Sequence, residues 1–170
     1  MHRTIETVNY KSHVINIFRD DRPENPREWD SNTGIIIHHP DFLRHYEVIE
    51  EDHIDGDVIS LDFTLHGYVH KICVPKSDVR RNYGCRRISR KVKDRILCVL
   101  SLEAEVYVAW VNGDVFGYQT YKYGVDEVVD DCWGYYGADF EKNWLLPTAR
   151  EWIDSLKIDN LAIHRPEMHI

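Results

Sequence analysis

The strongest structural signal in the sequence is a pair of strand-like runs within the segment from Gly113 to Phe140. The first run is Val115–Lys122 and the second is Glu127–Trp133, and both are rich in aromatic and β-branched residues. The connection between them contains a glycine and an aspartate, which are frequent in tight turns. The pattern therefore predicts a β-hairpin, whose second strand leads into an aromatic but glycine-interrupted sequence, Trp-Gly-Tyr-Tyr-Gly at residues 133–137.

Apolar patterns elsewhere in the chain predict both strands and helices. Alternation indicates half-buried strands, and three- or four-residue spacing indicates helices. The best helix is expected from Arg90 to about Val108, with an earlier end left open because Val106–Val111 is also strand-like. Within Asp139–Leu156, Pro147 is expected to start the second of two short helices. The other predicted elements are strands at His13–Phe18, Gly34–His38, Val58–Leu65 and Tyr68–Val74, and short helices after His39 and over residues 78–83.

These elements predict an α+β fold. We expect one mainly antiparallel sheet of about five or six strands, with the helices packed on one side. The 170 residues are 43% hydrophobic, which is enough to bury a core as a single domain over residues 1–170. Residues 1–12 and 160–170 lack strong periodicity and are expected to be weakly ordered.

The distribution of apolar residues and cysteines bears on location. No apolar run approaches the roughly 20 residues that a membrane span needs, and the N-terminus has no apolar signal segment. We therefore expect a cytoplasmic protein without a membrane partner. The four cysteines are well separated and form no Cys-x-x-Cys pair, which favours reduced thiols over a redox motif or a zinc ribbon.

Charge is unevenly distributed along a chain whose formal net charge is −8. Residues 47–57 contain six acids and no lysine or arginine, whereas residues 71–95 contain ten of the 21 basic groups. Net acidity argues against general nucleic-acid affinity, although a basic patch can still bind a polyanion. The charged residues that we select as candidate partner contacts are Glu50, Glu51, Asp52, Asp55, Asp57, Arg86, Arg87 and Arg90.

Two polar patches are candidates for a ligand site. The first begins at Trp29 and Asp30 and continues to Gly34, and its simpler explanation is a turn in which Asp and Asn bond their own backbone. The second comprises Asp130, Asp131 and Cys132, to which Asp114 across the hairpin could add a carboxylate for a cation. Adjacent carboxylates on a strand point to opposite faces, so the competing interpretation is a solvent-facing acidic edge. We assign no metal, cofactor or catalytic residue.

Common catalytic and cofactor motifs are absent from the sequence. It contains no Walker loop, no Gly-x-Gly-x-x-Gly, no His-Glu-x-x-His and no Gly-x-Ser-x-Gly. This absence favours a binding protein over an enzyme. Spacing alone gives no zinc site either, because His66, His70 and Cys73 do not have the tight convergent pattern of zinc ligands.

Three patches resemble a group of small acidic proteins encoded by bacteriophages and other mobile elements. They are residues 25–34 (Asn-Pro-Arg-Glu-Trp-Asp-Ser-Asn-Thr-Gly), residues 69–92 with Ser-Asp-Val-Arg-Arg-Asn-Tyr-Gly at 77–84, and Gly-Asp-Val-Phe-Gly-Tyr at 113–118 with Asp-Cys-Trp-Gly-Tyr-Tyr-Gly at 131–137. The group usually carries a Cys-Pro-Trp-Asp-Ser-Gly stretch where this chain has Phe63–Tyr68. The resemblance implies a mobile-element origin and no catalytic residue.

Such an origin suggests an anti-CRISPR-like or anti-restriction-like function in the cytoplasm of a bacterial host cell. We expect binding and inhibition of a host nucleic-acid-handling or defence enzyme, with Trp133, Tyr135 and Tyr136 as aromatic contacts beside the charged residues named above. The alternative is a small metal-assisted or cysteine-dependent enzyme acting on nucleotides. That alternative requires the candidate carboxylates to converge in one cleft, or Cys132 to approach a histidine.

Overall fold

The computed structural model describes residues 3–46 and 56–162, and this part of the chain forms seven strands and four α-helices. In chain order they are β1 (Thr4–Tyr10), β2 (His13–Arg19), β3 (Ile35–Ile37), α1 (Pro40–Tyr46), β4 (Val58–Leu65), β5 (Tyr68–Pro75), α2 (Lys76–Tyr83), α3 (Arg90–Val111), β6 (Val115–Lys122), β7 (Val128–Tyr136) and α4 (Leu145–Ala162). The predicted α+β class with antiparallel pairing is confirmed. The strand count is a correction, because the seven strands form two sheets instead of one sheet of five or six.

The chain divides into two compact units, one made of residues 1–24 and 109–170 and the other of residues 25–108. The first unit contains a four-stranded antiparallel sheet in the order β1-β2-β6-β7. Its core forms where α4 packs on one face of this sheet. The core residues are Ile15, Ile17, Phe116, Tyr118, Leu145, Leu146, Ala149 and Ile153.

Period-two alternation explains which face of this sheet is buried under α4. In β2, Ile15 and Ile17 are fully buried, and the register places them opposite Thr120 and Tyr118 of β6. Strand β1 pairs with β2 at the edge of the sheet, with most of its side chains exposed. Within residues 1–12, Thr4–Tyr10 form this strand through backbone pairing with β2, although their own sequence carries little apolar alternation.

A single helix replaces the two short C-terminal helices that we expected. Pro147 lies in the first turn of α4, where a missing N–H breaks no helical hydrogen bond. The preceding residues 139–144 form turns instead of a helix. The side-chain oxygen of Asn143 accepts the backbone N–H of Leu145 at 3.0 Å, which satisfies a donor at the start of α4.

The second unit contains a three-stranded antiparallel sheet in the order β3-β5-β4. A turn at His66 and Gly67 joins β4 to β5, with φ of 52° and 82°. Helix α2 is followed by Gly84, which adopts the left-handed conformation that glycine favours at a helix end. Buried side chains of the sheet and of the helices form the core of this unit; among them are Ile36, Ile59, Ile72, Val74, Val79, Ile96, Leu100 and Ala104.

Helix α3 is longer than its apolar spacing indicated. It has 22 residues and includes the strand-like segment Val106–Val111. It ends at Val111, and the turn that follows contains Gly113, whose φ of 70° suits a helix terminus and whose N–H donates to the carbonyl of Trp110. None of the helices in the described ranges combines the length and the hydropathy needed to cross a membrane.

Candidate functional site

Strand β7 contains the three predicted aromatic contacts and three of the predicted ligand residues, and its register with β6 places them at different positions along the hairpin and on different faces. Tyr118 lies opposite Cys132, Gln119 opposite Asp131, and Thr120 opposite Asp130. Side chains of alternate residues therefore point toward α4 or away from it.

Trp133 lies on the face that points away from α4. Its ring packs on Phe18, with 6.2 Å between ring centroids, and against Gly117 of the neighbouring strand. Its indole Nε1–H donates to the carboxylate of Asp131 at 3.2 Å. The ring is half-buried, and it lines a shallow recess with residues 20–22. This contact with Gly117 fixes the position of the indole.

Tyr135 and Trp133 lie on opposite faces of the sheet, so they do not form one aromatic patch. Tyr135 packs toward the α4 side, 6.0 Å from the ring of Tyr118, and burial and the neighbouring Cys132 raise the pKa of Tyr135 to about 12. The hydroxyl of Tyr136 donates to the carbonyl of Glu24 at 2.7 Å. Both rings are half-buried, and Tyr135 packs against the core under α4, so the three predicted aromatic contacts do not all lie on one face.

The acidic residues of the hairpin do not assemble into a cation site. The carboxylate of Asp130 accepts the hydroxyl of Tyr118 at 2.8 Å on the α4 side, whereas Asp131 accepts from Trp133 on the other face. Asp114 lies at the far end of β6 and pairs with Arg19 at 3.6 Å. Thr120 lies six positions farther along the chain, about 20 Å away along the strand. No group of three potential metal ligands converges within the described ranges.

Cys132 lies among aromatic and backbone groups. Its thiol contacts the carbonyl of Trp133 at 4.0 Å and neighbours the hydroxyl of Tyr135. The contacts described for Cys132 include no histidine that could act as a base and activate its thiol as a nucleophile.

The patch from Trp29 to Gly34 lies in the second unit and is held by internal bonds. The amide nitrogen of Asn32 donates to the carbonyls of Pro26 and Trp29, at 2.7 and 2.8 Å. Glu103 of α3 accepts the backbone N–H groups of Thr33 and Gly34, at 2.6 and 2.9 Å. Asp30 is exposed. This geometry agrees with the turn interpretation of the patch.

The predicted charged contacts are solvent-facing where the structure describes them. Arg86, Arg87 and Arg90 are exposed, and Arg90 lies 3.9 Å from Asp94. Asp57 is exposed and pairs with Lys76. The remaining acidic candidates, Glu50, Glu51, Asp52 and Asp55, lie outside the described residues.

Sequence reasoning missed an exposed apolar cluster at the end of the hairpin. The side chains of Tyr123, Val125, Val128 and Val129 are 52%, 43%, 40% and 40% exposed, and we call these four residues the hairpin tip. A turn between two strands is normally polar, so apolar residues on both sides of Gly124 were a usable signal. No Lys or Arg occurs in residues 123–136, which contain four acids.

Sequence reasoning also missed a chain of hydrogen-bonded side chains in the second unit, which includes the buried residue His70. His70 is 1% exposed, and its Nε2 lies 3.3 Å from the carbonyl of Leu65. With that nitrogen protonated, Nδ1 accepts the N–H of His39 at 3.2 Å and the Nδ1–H of His38 at 3.1 Å. The hydroxyl of Tyr107 then donates to Nε2 of His38 at 3.3 Å. Burial lowers the pKa of His70, so it is neutral at pH 7.

No family model matches the sequence, and no curated protein or solved structure is significantly similar to it.

Proposed function

We propose that the protein is a phage or mobile-element accessory protein that binds and inhibits a host nucleic-acid-handling or defence enzyme, such as a CRISPR effector. The observation that carries this proposal is the hairpin tip, where four large apolar side chains are 40–52% exposed within seven residues. A contiguous exposed apolar cluster with a polar rim is typical of a protein-binding surface. The proposed place of action is the cytoplasm of the bacterial host cell.

The charge around the hairpin tip supports a basic partner. Asp126, Glu127 and Asp131 are exposed beside the apolar side chains. Enzymes that handle nucleic acids present basic channels to phosphate groups, and an acidic surface can occupy such a channel. The tip would then supply apolar contact area while the carboxylates select and orient the partner.

Capture from bacterial lysate tests this proposal. The tagged protein is compared with a tip variant, Tyr123→Ser combined with Val125→Ser, at moderate and high salt. Leu102→Ser is the matched control, because Leu102 is 57% exposed on α3, away from the hairpin in sequence. Because exposed side chains are replaced, all three proteins are expected to fold.

We expect the wild-type protein and the Leu102 variant to retain one nucleic-acid-cleaving or nucleic-acid-modifying enzyme, and the tip variant to lose it. Addition of the wild-type protein to that purified enzyme is expected to reduce its activity on DNA or RNA. A blank at both salt concentrations, equal capture by the tip variant, or full enzyme activity in the complex would each contradict the proposal. Within residues 3–46 and 56–162, no contact favours the alternative of an enzyme acting on nucleotides.

A further inference from the structure

A pocket opens in the first unit between the end of the four-stranded sheet and α4. Its volume is about 520 Å³, which lies within the range of small-molecule sites. One wall comes from the start of β2 and the end of β6, and the opposite wall comes from α4. The lining residues are Ser12, His13, Lys122, Val129, Trp152, Ile153 and Leu156.

The polar end of the pocket contains a cation beside a buried imidazole. His13 is 7% exposed and lies directly opposite Lys122 in the antiparallel register of β2 and β6. Its Nδ1 lies 3.3 Å from the hydroxyl of Ser12. Burial lowers the pKa of His13, and the charge of Lys122 lowers it further. His13 is therefore neutral at pH 7, and Lys122 supplies the positive charge at this end.

Lys122 has no ion pair among the residues that the structure describes, in contrast to Lys11, which pairs with Asp154. Two positions before Lys122, on the same face of β6, Thr120 is fully buried, and its hydroxyl has no hydrogen-bond partner in the described part of the chain. Buried polar groups normally have partners. Thr120 is not among the residues that line the pocket, so the unused group at its polar end is the ammonium of Lys122.

The remaining walls are apolar and include an aromatic ring. Trp152 meets the ring of His13 edge to face, with centroids 6.4 Å apart. Val129, Ile153 and Leu156 complete these walls. An indole ring and aliphatic side chains favour a flat apolar body over a hydrated ion.

We propose that this pocket binds a small molecule that has a flat aromatic body and one anionic group. The anion lies against Lys122, with the hydroxyl of Ser12 as a further donor, and the aromatic body lies against Trp152. Carboxylate, phosphate and sulfonate groups share this anionic chemistry. The site is independent of the proposed inhibitor function, since binding in the pocket needs no protein partner.

A matched pair of fluorescent probes tests the site. The anionic probe is 8-anilinonaphthalene-1-sulfonate, and the neutral probe is N-phenyl-1-naphthylamine, which lacks the sulfonate. We expect one saturable site per chain for the anionic probe. Lys122→Met is expected to weaken that binding about tenfold, the scale of one lost charge-assisted hydrogen bond, and to leave the neutral probe unaffected. Lys93→Met is the control, because Lys93 is exposed on α3 in the other unit.

The chemical source of the anion is resolved by two further titrations, one with indole-3-acetate and one with adenosine monophosphate. Each is followed through the imidazole proton signals of His13 in the NMR spectrum of the wild-type protein, so that this arm needs no variant. A saturable shift with either compound supports the site and identifies carboxylate or phosphate as the preferred group. Absence of saturable binding by all three anionic compounds overturns the proposal. Binding of both fluorescent probes that is indifferent to Lys122→Met also overturns it.

Discussion

The indole of Trp133 in β7 packs directly against Gly117 in β6, where no side chain separates the ring from the backbone. A Cβ atom placed on Gly117 would penetrate the indole ring and would lie 2.8 Å from the carbonyl oxygen of Cys132. The absence of a side chain at Gly117 therefore allows Trp133 to lie across the sheet and donate to Asp131.

Gly117→Ala should displace Trp133. Because the strand backbone and a bulky ring both crowd the new methyl group, we expect the free energy of unfolding to fall by about 1–3 kcal/mol. Tryptophan fluorescence should shift to longer wavelength as the indole becomes more exposed. Urea unfolding and emission spectra measure the two effects.

The same substitution in a Trp133→Leu background provides the control. With the indole removed, the alanine methyl group has more room, so its additional cost should be clearly smaller than in the wild-type protein. If Gly117→Ala lowers the free energy of unfolding equally in both backgrounds, contact with Trp133 is not what excludes a side chain at position 117.

Glu103 should be important for the stability of the second unit. Its side chain is 14% exposed, accepts two backbone N–H groups of the loop at Thr33 and Gly34, and lies 3.4 Å from Arg27. Truncation leaves these donors and the partly buried guanidinium without their acceptor. Glu103→Ala should therefore lower the free energy of unfolding by about 3 kcal/mol.

Glu105→Ala is the matched comparison for Glu103, since Glu105 is exposed on the same helix and its carboxylate accepts the hydroxyl of Ser101 at 3.3 Å. We expect it to change the free energy of unfolding by no more than about 0.5 kcal/mol. Equal effects of the two substitutions in urea titrations would show that Glu103 does not anchor the loop.

Local patterns in the sequence predicted most elements but not their assembly. The bounds of β4 and β6 agree with the predictions, because each strand has a clear apolar or aromatic pattern and a defined turn. The division into two sheets depends on pairing between distant segments, such as β2 with β6 and β3 with β5. Side-chain periodicity carries no information on those partners, so one sheet was the simpler prediction.

The candidate site shows the same limit. The opposite orientations of Asp130 and Asp131 followed from strand geometry alone, and the structure confirms them through their different partners. His38 and His70 are 32 residues apart in the sequence, and only the pairing of β3 with β5 brings them together. Proximity of this kind has no signature in residue spacing.

His70 should make the protein less stable in acid. Burial lowers its pKa below the ordinary value near 6.5, so the unfolded chain binds a proton more readily than the folded chain. The stabilisation is present above about pH 6.5 and is lost as the pH falls through that value toward the folded pKa. One proton contributes at most about 1.4 kcal/mol per pH unit to this slope.

The measurement is urea unfolding at several pH values between 5 and 8. His70→Phe removes the titrating ring from a site lined by Phe42 and Phe63, so it should be less stable at pH 7 but have a shallower acid slope. His45→Gln, at an exposed position, should keep the wild-type slope. His13 contributes with the same sign in the other unit, so some slope should remain in every variant. If the stability of His70→Phe falls in acid with the same slope as that of the wild-type protein, His70 is not a cause of the acid destabilisation.

Tyr118 should limit stability at alkaline pH. It is 2% exposed, and its hydroxyl donates to Asp130 at 2.8 Å. Burial, and then the bond to Asp130, raise its pKa far above the ordinary value near 10. The folded protein thus retains a proton that the unfolded chain loses above about pH 10, so the stabilisation is complete below pH 10 and is lost as the pH rises.

Tyr118→Phe should flatten the fall in stability between pH 10 and 11. Through loss of a hydrogen bond to a charged group, it should also lower the free energy of unfolding by about 1.5–3 kcal/mol at pH 7. Tyr123→Phe, at a 52% exposed position, is the matched control and should leave both quantities close to wild type. Tyrosinate absorbance near 295 nm, followed together with urea unfolding, distinguishes the outcomes: ionisation of Tyr118 before the protein unfolds would contradict its assignment as a buried donor to Asp130.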